Sequence, residues 1–166
     1  MTITPPFDPA FVAAGEAETF GSDRVGIRLL LDSSATGGAL STLEVQLGVG
    51  QDGAAPHYHT RSHELFYVTE GELQVLTGDD LRTVAAGGAL VVPKYAVHAF
   101  GAAPGASAKV LIVLTPGAER FEYFRLLTRI DRGEATVEEL VEAQDIYDNH
   151  FVDSPVWRAA RMEGRQ

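Results

Sequence analysis

The sequence predicts a mainly β protein, an antiparallel sandwich or small barrel, followed by a C-terminal helical extension. Three observations carry this. Residues 24–115 form a string of short apolar runs rich in Val, Leu, Phe and Thr. Turn-forming clusters such as "SSATGG", "GQDG", "TGDD", "AAGG" and "AAPGA" separate them, with no helical period between. From residue 116 onward the apolar spacing becomes helical.

In chain order, residues 1–23 open with "TPPFDP" and are expected to start extended, as an N-terminal arm. The β domain follows over 24–115. Its expected strands are "VGIRLLLD" (25–32), "LSTLEVQLGV" (40–49), "ELFYVTEGELQVL" (64–76), "LRTVAA" (81–86), "ALVVP" (89–93), "VHAFGA" (97–102) and "AKVLIVL" (108–114). The extension covers 116–166. "AERFEYFRLLTRIDRG" places Phe121, Phe124, Leu127 and Ile130 on one helical face and stops at Gly133, suited to follow a C-cap. "TVEELVEAQDIYDNH" opens on a capping box, Thr136 with Glu139. "SPVWRAARMEG" has Ser154 as N-cap and Pro155 at the first helical position. With no linker-like joint before them, these helices are expected to pack on the barrel or on a partner subunit.

Composition narrows the function classes. With 166 residues the chain can bury a core without disulfides, and it has no cysteine, so thiolate metal sites and a cysteine nucleophile are excluded. A formal net charge of −10 argues against a nucleic-acid partner and against docking on anionic lipid. No basic residue precedes Arg24, unlike a secretory signal, and no apolar run reaches membrane-spanning length. The expectation is a soluble cytoplasmic protein.

The chemistry concentrates in "PHYHTRSHELFYVTEG", which holds three of the five histidines. On a strand, His57 and His59 point to one face and Tyr58 to the other. Glu64 shares a face with Phe66 and Val68, whereas His63 shares the opposite face with Leu65 and Tyr67. Imidazoles and a carboxylate are good ligands for divalent first-row metals. The alternative is a set of polar groups at strand ends, and spacing alone leaves both open.

A wider pattern bears on this choice. Glu64 is followed by Gly71, and Gly87 by Pro93 and then His98. The chain resembles the cupin family, whose first motif runs Gly-x5-His-x-His-x3-4-Glu-x6-Gly and whose second runs Gly-x5-Pro-x-Gly-x2-His-x3-Asn. His57, His59, Glu64 and Gly71 match the first, with Gly50 one residue early; Gly87, Pro93 and His98 match the second. Tyr95 stands where the second motif has its inner Gly, and Ala102 where it has Asn. The resemblance implies a double-stranded β-helix, the cupin jelly-roll barrel. It also implies four metal ligands, His57, His59, Glu64 and His98, for one divalent transition metal. Fe, Mn, Ni, Co, Cu and Zn all suit that donor set. His63 is outside the motif, and His150 reads as a helix-end charge or surface group.

"VVPKYAVHAF" followed by "LTPGAERFEYFRLL" is similar to the bacterial single-domain quercetinase-type cupins. That likeness implies a dioxygenase acting on a flavonol-like or other enolic aromatic, with dioxygen as co-substrate and Glu64 as both ligand and catalytic base. Phe66, Val68 and Phe100 are the expected apolar pocket wall, or else barrel core. Phe121, Phe124, Tyr147 and Trp157 could close the barrel mouth. The alternatives are a zinc-dependent cyclase or isomerase of polyketide-like intermediates, or a non-catalytic small-molecule binder. Cupins often dimerise by swapping an N-terminal strand, so residues 7–20 are expected to serve a homodimer.

Overall fold

The structure is a computed structural model and describes residues 3–163. Residues 1–2 of the expected arm and 164–166 of the expected extension lie outside the described residues.

Ten strands build one sheet that folds over a single core. They are β1 (Glu18–Gly21), β2 (Val25–Leu31), β3 (Ser41–Leu47), β4 (Asp52–Tyr58), β5 (His63–Thr77), β6 (Asp80–Ala85), β7 (Ala89–Val92), β8 (His98–Ala102), β9 (Ala108–Thr115) and β10 (His150–Phe151). The main path runs β1-β2-β3-β9-β5-β8-β4-β10, all antiparallel, with β6 and β7 also on β5. The long β5 makes the roll. Its first half lies between β9 and β7, and its second half between β8 and β6. The two halves meet at Gly71, in the left-handed region at φ +70; a Cβ there would fall 1.9 Å from the Ser107 carbonyl oxygen.

Alternation along the strands fills the inside. Leu43, Val45 and Leu47 of β3, Phe66 and Val68 of β5, and Val110, Ile112 and Leu114 of β9 are all buried in one cluster. All seven expected runs are strands, within a few residues at each end. Residues 18–21, expected in an unpaired arm, instead form β1 and pair with β2 of the same chain. The segment 52–58 also becomes a strand, although "DGAAPHY" has little β-propensity, because β8 and β10 flank it.

The extension contains α1 (Phe121–Asp131), α2 (Val137–Glu142), α3 (Gln144–Tyr147) and α4 (Pro155–Glu163). The capping box forms: Thr136 Oγ1 accepts from Glu139 N–H, and Glu139 accepts from Thr136 N–H, each at 3.2 Å. Ser154 Oγ accepts from Trp157 N–H at 3.2 Å and opens α4 behind Pro155. The "TVEELVEAQDIYDNH" stretch is broken at Ala143, so α3 is separate and the chain runs on into β10. The Arg161 guanidinium pins α4 to the sheet. It donates to Asp52 Oδ1 at 2.6 Å, Gln74 Oε1 at 3.0 Å, and the carbonyls of Ala102 and Gly50 at 2.8 Å each. No helix of the described residues is long and apolar enough to cross a membrane.

Candidate metal centre and cavity

Three strands deliver four side chains to one point inside the roll. β4 and the residue just beyond it carry His57 and His59, β5 carries Glu64 as its second residue, and β8 opens with His98. The strand period sets their direction: His57, His59, Glu64 and His98 are buried, as are Phe66 and Val68 on the Glu64 face. His57 lies opposite His98 in the β4–β8 pairing, and their ring centroids are 4.2 Å apart. One possible ligand atom from each of the four lies within 4.8 Å of the others.

The hydrogen bonds assign the ring nitrogens. His57 Nδ1 donates to the Ala55 carbonyl at 2.7 Å and His98 Nδ1 to the Ala96 carbonyl at 2.9 Å. His59 Nδ1 donates to the Asp148 carbonyl. A carbonyl oxygen can only accept, so each Nδ1 carries a proton and Nε2 is the nitrogen each ring has left to offer a ligand. His59 Nε2 and His98 Nε2 stand 3.1 Å and 2.7 Å from Glu64 Oε2. Two ring nitrogens this close to a carboxylate call for a cation among them, either protons on the rings or a metal ion. Burial, and then the charges of His98 and His59, push His57 well below the ordinary imidazole range, which favours its unprotonated, ligating form. The donor set therefore fits a divalent metal, and His57, His59, Glu64 and His98 could hold one.

Burial alone would raise the Glu64 carboxyl. Its contacts with His59 and His98 outweigh that and hold it well below the usual carboxylate range. His63 lies outside the cluster, where its Nδ1 accepts from Lys94 N–H at 3.3 Å.

Asp148, unnoticed in the sequence, is the buried anchor of the centre. Its carboxylate accepts from Thr60 N–H and Thr60 Oγ1–H at 2.7 Å each, Arg61 N–H at 3.0 Å and Ser62 N–H at 3.3 Å. Burial pushes the Asp148 carboxyl up, but these donors prevail and lower it. The loop between β4 and β5 is thereby clipped to the extension beside His59. His150 follows in β10, half-buried, with its ring stacked on Tyr58 at 5.0 Å. The one signal was "DN" at 148–149, a pair that tolerates left-handed backbone; Asp148 has φ +53.

A mostly apolar cavity of about 90 Å³ adjoins the cluster. Its wall includes Leu43, Val45, Phe100 and Ile112 from the sheets, with Phe124 and Leu127 from α1. His57 and Glu64 lie on it, and so do Arg120, Tyr123 and Asn149. Of the three residues expected as pocket wall, Phe100 lines this cavity. Phe66 and Val68 are fully buried in the core, with the Phe66 ring 5.2 Å from that of Phe100. Gly53 makes room for Phe100: a Cβ there would lie 2.3 Å from its ring. Of the four residues expected at the mouth, Phe124 lines the cavity. Phe121 packs on the barrel core, Tyr147 joins the helix cluster around Leu126 and Leu140, and Trp157 packs on Leu76 and Ala99.

Residues 43–114 match the cupin domain family. The fold is a cupin fold. It is similar to an RmlC-like cupin from Shewanella frigidimarina NCIMB 400, with a TM-score of 0.56, 16% identity, and 72% of this chain and 99% of that chain covered. KdgF from Halomonas sp. gives 0.54 at 22% identity over 66% and 94% of the chains. The polyketide cyclase RemF from Streptomyces resistomycificus gives 0.54 at 21% identity over 66% and 80%. Such identities establish the cupin fold and leave the activity to the site. No curated protein sequence matches the chain significantly.

The second motif's departures now have physical meaning. Tyr95 sits at φ +68, the left-handed conformation glycine tolerates best, and its N–H donates to the His59 carbonyl at 2.7 Å. Ala102, at the usual Asn position, is fully buried in β8.

Proposed function

We propose that this cupin is a metal-dependent enzyme acting on a small molecule with an ionisable oxygen, and within that class a quercetinase-like dioxygenase of an enolic aromatic. The observation that carries the reading is the convergence of three histidines and a carboxylate beside a mostly apolar cavity that His57 and Glu64 line. A divalent metal held there would act as a Lewis acid toward a substrate oxygen, and a redox-active one would also serve dioxygen chemistry. The chain's own residues supply the rest. Leu43, Val45, Phe100 and Phe124 keep water from the reacting centre. Glu64 rests as a carboxylate and takes a substrate proton only as its contacts with His59 and His98 loosen. The cavity's volume suits a single ring, so a flavonol would extend past α1.

Elemental analysis of the purified protein, then oxygen uptake with quercetin and with single-ring enols under each candidate metal, tests this. Uptake with one loaded metal is expected; no uptake with any metal removes the dioxygenase reading.

A second reading, a zinc-dependent cyclase or isomerase, is favoured by Tyr123. Its phenol lines the cavity, and burial raises it, with Arg120 opposing and Glu64 adding to the shift. A protonated phenol and a carboxylate on the wall of one cavity suit proton transfer without redox chemistry. Zinc in the protein and turnover without dioxygen would select it; full metal loading with no turnover would leave a binding protein.

A further inference from the structure

Among the described residues, three buried side-chain polar atoms have no hydrogen-bond partner: Ser41 Oγ, Arg120 Nε and Asn149 Nδ2. Two of the three belong to residues that line the one cavity beside the metal centre. Arg120 is 5% exposed and Asn149 is 2% exposed. Unsatisfied donors at this depth are uncommon in folded proteins, and each calls for an acceptor.

The pair is held rigidly. Arg120 Nη1 donates to the Tyr147 carbonyl at 3.1 Å, and Nη2 to Asn149 Oδ1 at 3.4 Å. The guanidinium carbon lies 4.5 Å from the Tyr123 ring centroid. The bond to Oδ1 turns the Asn149 amide so that its NH₂ faces elsewhere. The Arg120 backbone N–H is also fixed, by Asp32 Oδ1 at 2.8 Å. Among the described residues no carboxylate pairs with the guanidinium. A buried positive charge with a free donor and no counter-ion is costly unless an anion meets it.

We propose that Arg120 and Asn149 form a carboxylate-binding subsite. The substrate is then a small carboxylic acid whose second oxygen, keto, enol or hydroxyl, reaches the His57–His59–Glu64–His98 cluster. This deepens the functional reading above and rests on it for the second oxygen. Guanidinium and amide donors together match the planar, two-oxygen face of a carboxylate. Size agrees: at about 10–15 Å³ per water-sized group, a cavity of about 90 Å³ holds fewer than roughly ten such groups. A compact oxo or enolic acid meets that limit.

The test uses calorimetric titration with pyruvate and with pyruvamide, its uncharged isostere, on the metal-free and the metal-loaded full chain. Pyruvate is expected to bind about tenfold or more tighter than pyruvamide in both forms. Asn149→Asp keeps the amide's shape but presents a carboxylate, and it should bring the ratio to about one at unchanged metal content. Arg120→Gln should do the same; its loss of the Tyr147 and Tyr123 contacts is followed separately by thermal unfolding. A wild-type ratio near one, no binding of either probe below about 10 mM, or a ratio preserved in Asn149→Asp overturns the subsite. Failure of the metal reading shows elsewhere, as absence of bound metal, and the metal-free ratio still tests Arg120 and Asn149 independently.

Discussion

Asp148→Asn tests whether the C-terminal extension holds the candidate metal centre in shape. The wild-type carboxylate uses both oxygens: Oδ1 accepts two bonds from Thr60, and Oδ2 accepts one each from Arg61 and Ser62. An amide can replace only one oxygen as acceptor. With its NH₂ on the Oδ2 side, the Arg61 and Ser62 N–H groups lose their partner; on the Oδ1 side the Thr60 hydroxyl can turn to accept, but Thr60 N–H is left unpaired; either way the remaining bonds lose their charge. Hydrogen bonds to charged groups contribute about 1.5–3 kcal/mol each, so one orphaned N–H and weakened remaining bonds should cost about 2–3 kcal/mol. The backbone does not confound the result, because Asn tolerates φ +53 at least as well as Asp. The freed loop also carries the chain from His59 to Glu64, so metal affinity should fall about ten- to hundredfold. Urea unfolding of the metal-free protein reads the first number, and competition with a chromophoric chelator reads the second. Stability within about 1 kcal/mol of wild type, together with metal affinity within about twofold, would refute the anchoring argument.

His57→Ala and His98→Ala should lower metal content equally, since both rings are buried in the same cluster; unequal loss by elemental analysis would remove one from the ligand set. The metal-free protein should lose stability in acid in two steps. The folded-state pKa of His57 is depressed, so its contribution is complete above its ordinary value of 6.5 and is lost as pH falls through the lower folded value. Glu64 and Asp148 behave likewise from their ordinary values of 4.5 and 3.8 downward. Unfolding free energy that stays flat from pH 7 to pH 4 would contradict this. Tyr95→Gly should stabilise by up to about 1.5 kcal/mol: relief of left-handed strain, about 1–2 kcal/mol, meets or exceeds the entropic cost of glycine, about 0.5–1 kcal/mol. A destabilised variant would show that the exposed Tyr95 ring contributes more than its backbone costs. Gly53→Ala should cost about 1–3 kcal/mol by forcing the Phe100 ring from the cavity wall, read by thermal unfolding.

Much of the barrel was readable because a strand's period is two residues and turns have their own chemistry. His57 with His59, and Glu64 with Phe66 and Val68, each shared a face, and the structure turns those faces inward. The helix starts at Thr136 and Ser154 were readable because capping is local chemistry. Strand β4 was harder. "DGAAPHY" has no apolar alternation of its own, and it is a strand because β8, β10 and Arg161 hold it. Helix α1 shows a related limit. The face marked by Phe121, Phe124, Leu127 and Ile130 is only half-buried, whereas Tyr123 and Leu126 are buried, because the helix packs both on the barrel and on Leu140 of α2.

The site divides along the same line. Its candidate ligands lie within 57–98, close to strand ends, where period and spacing expose them. The groups that orient and complete it lie beyond residue 115. Asp148 fixes His59 and its loop, α1 walls the cavity, and Arg120 and Asn149 bring unsatisfied donors to it. Beyond the "DN" pair and the helical spacing of α1, none of these has a local signature for its role in the site, since Arg120, Asp148 and Asn149 act through contacts more than twenty residues away in the chain. A barrel of shared fold can therefore serve different chemistries, with the segment packed over it deciding what reaches the candidate ligands. For this chain the segment brings a buried guanidinium and an unpartnered amide NH₂ to the cavity beside the candidate ligands. Substrate choice is thus to be sought in residues 120–149 before the barrel itself.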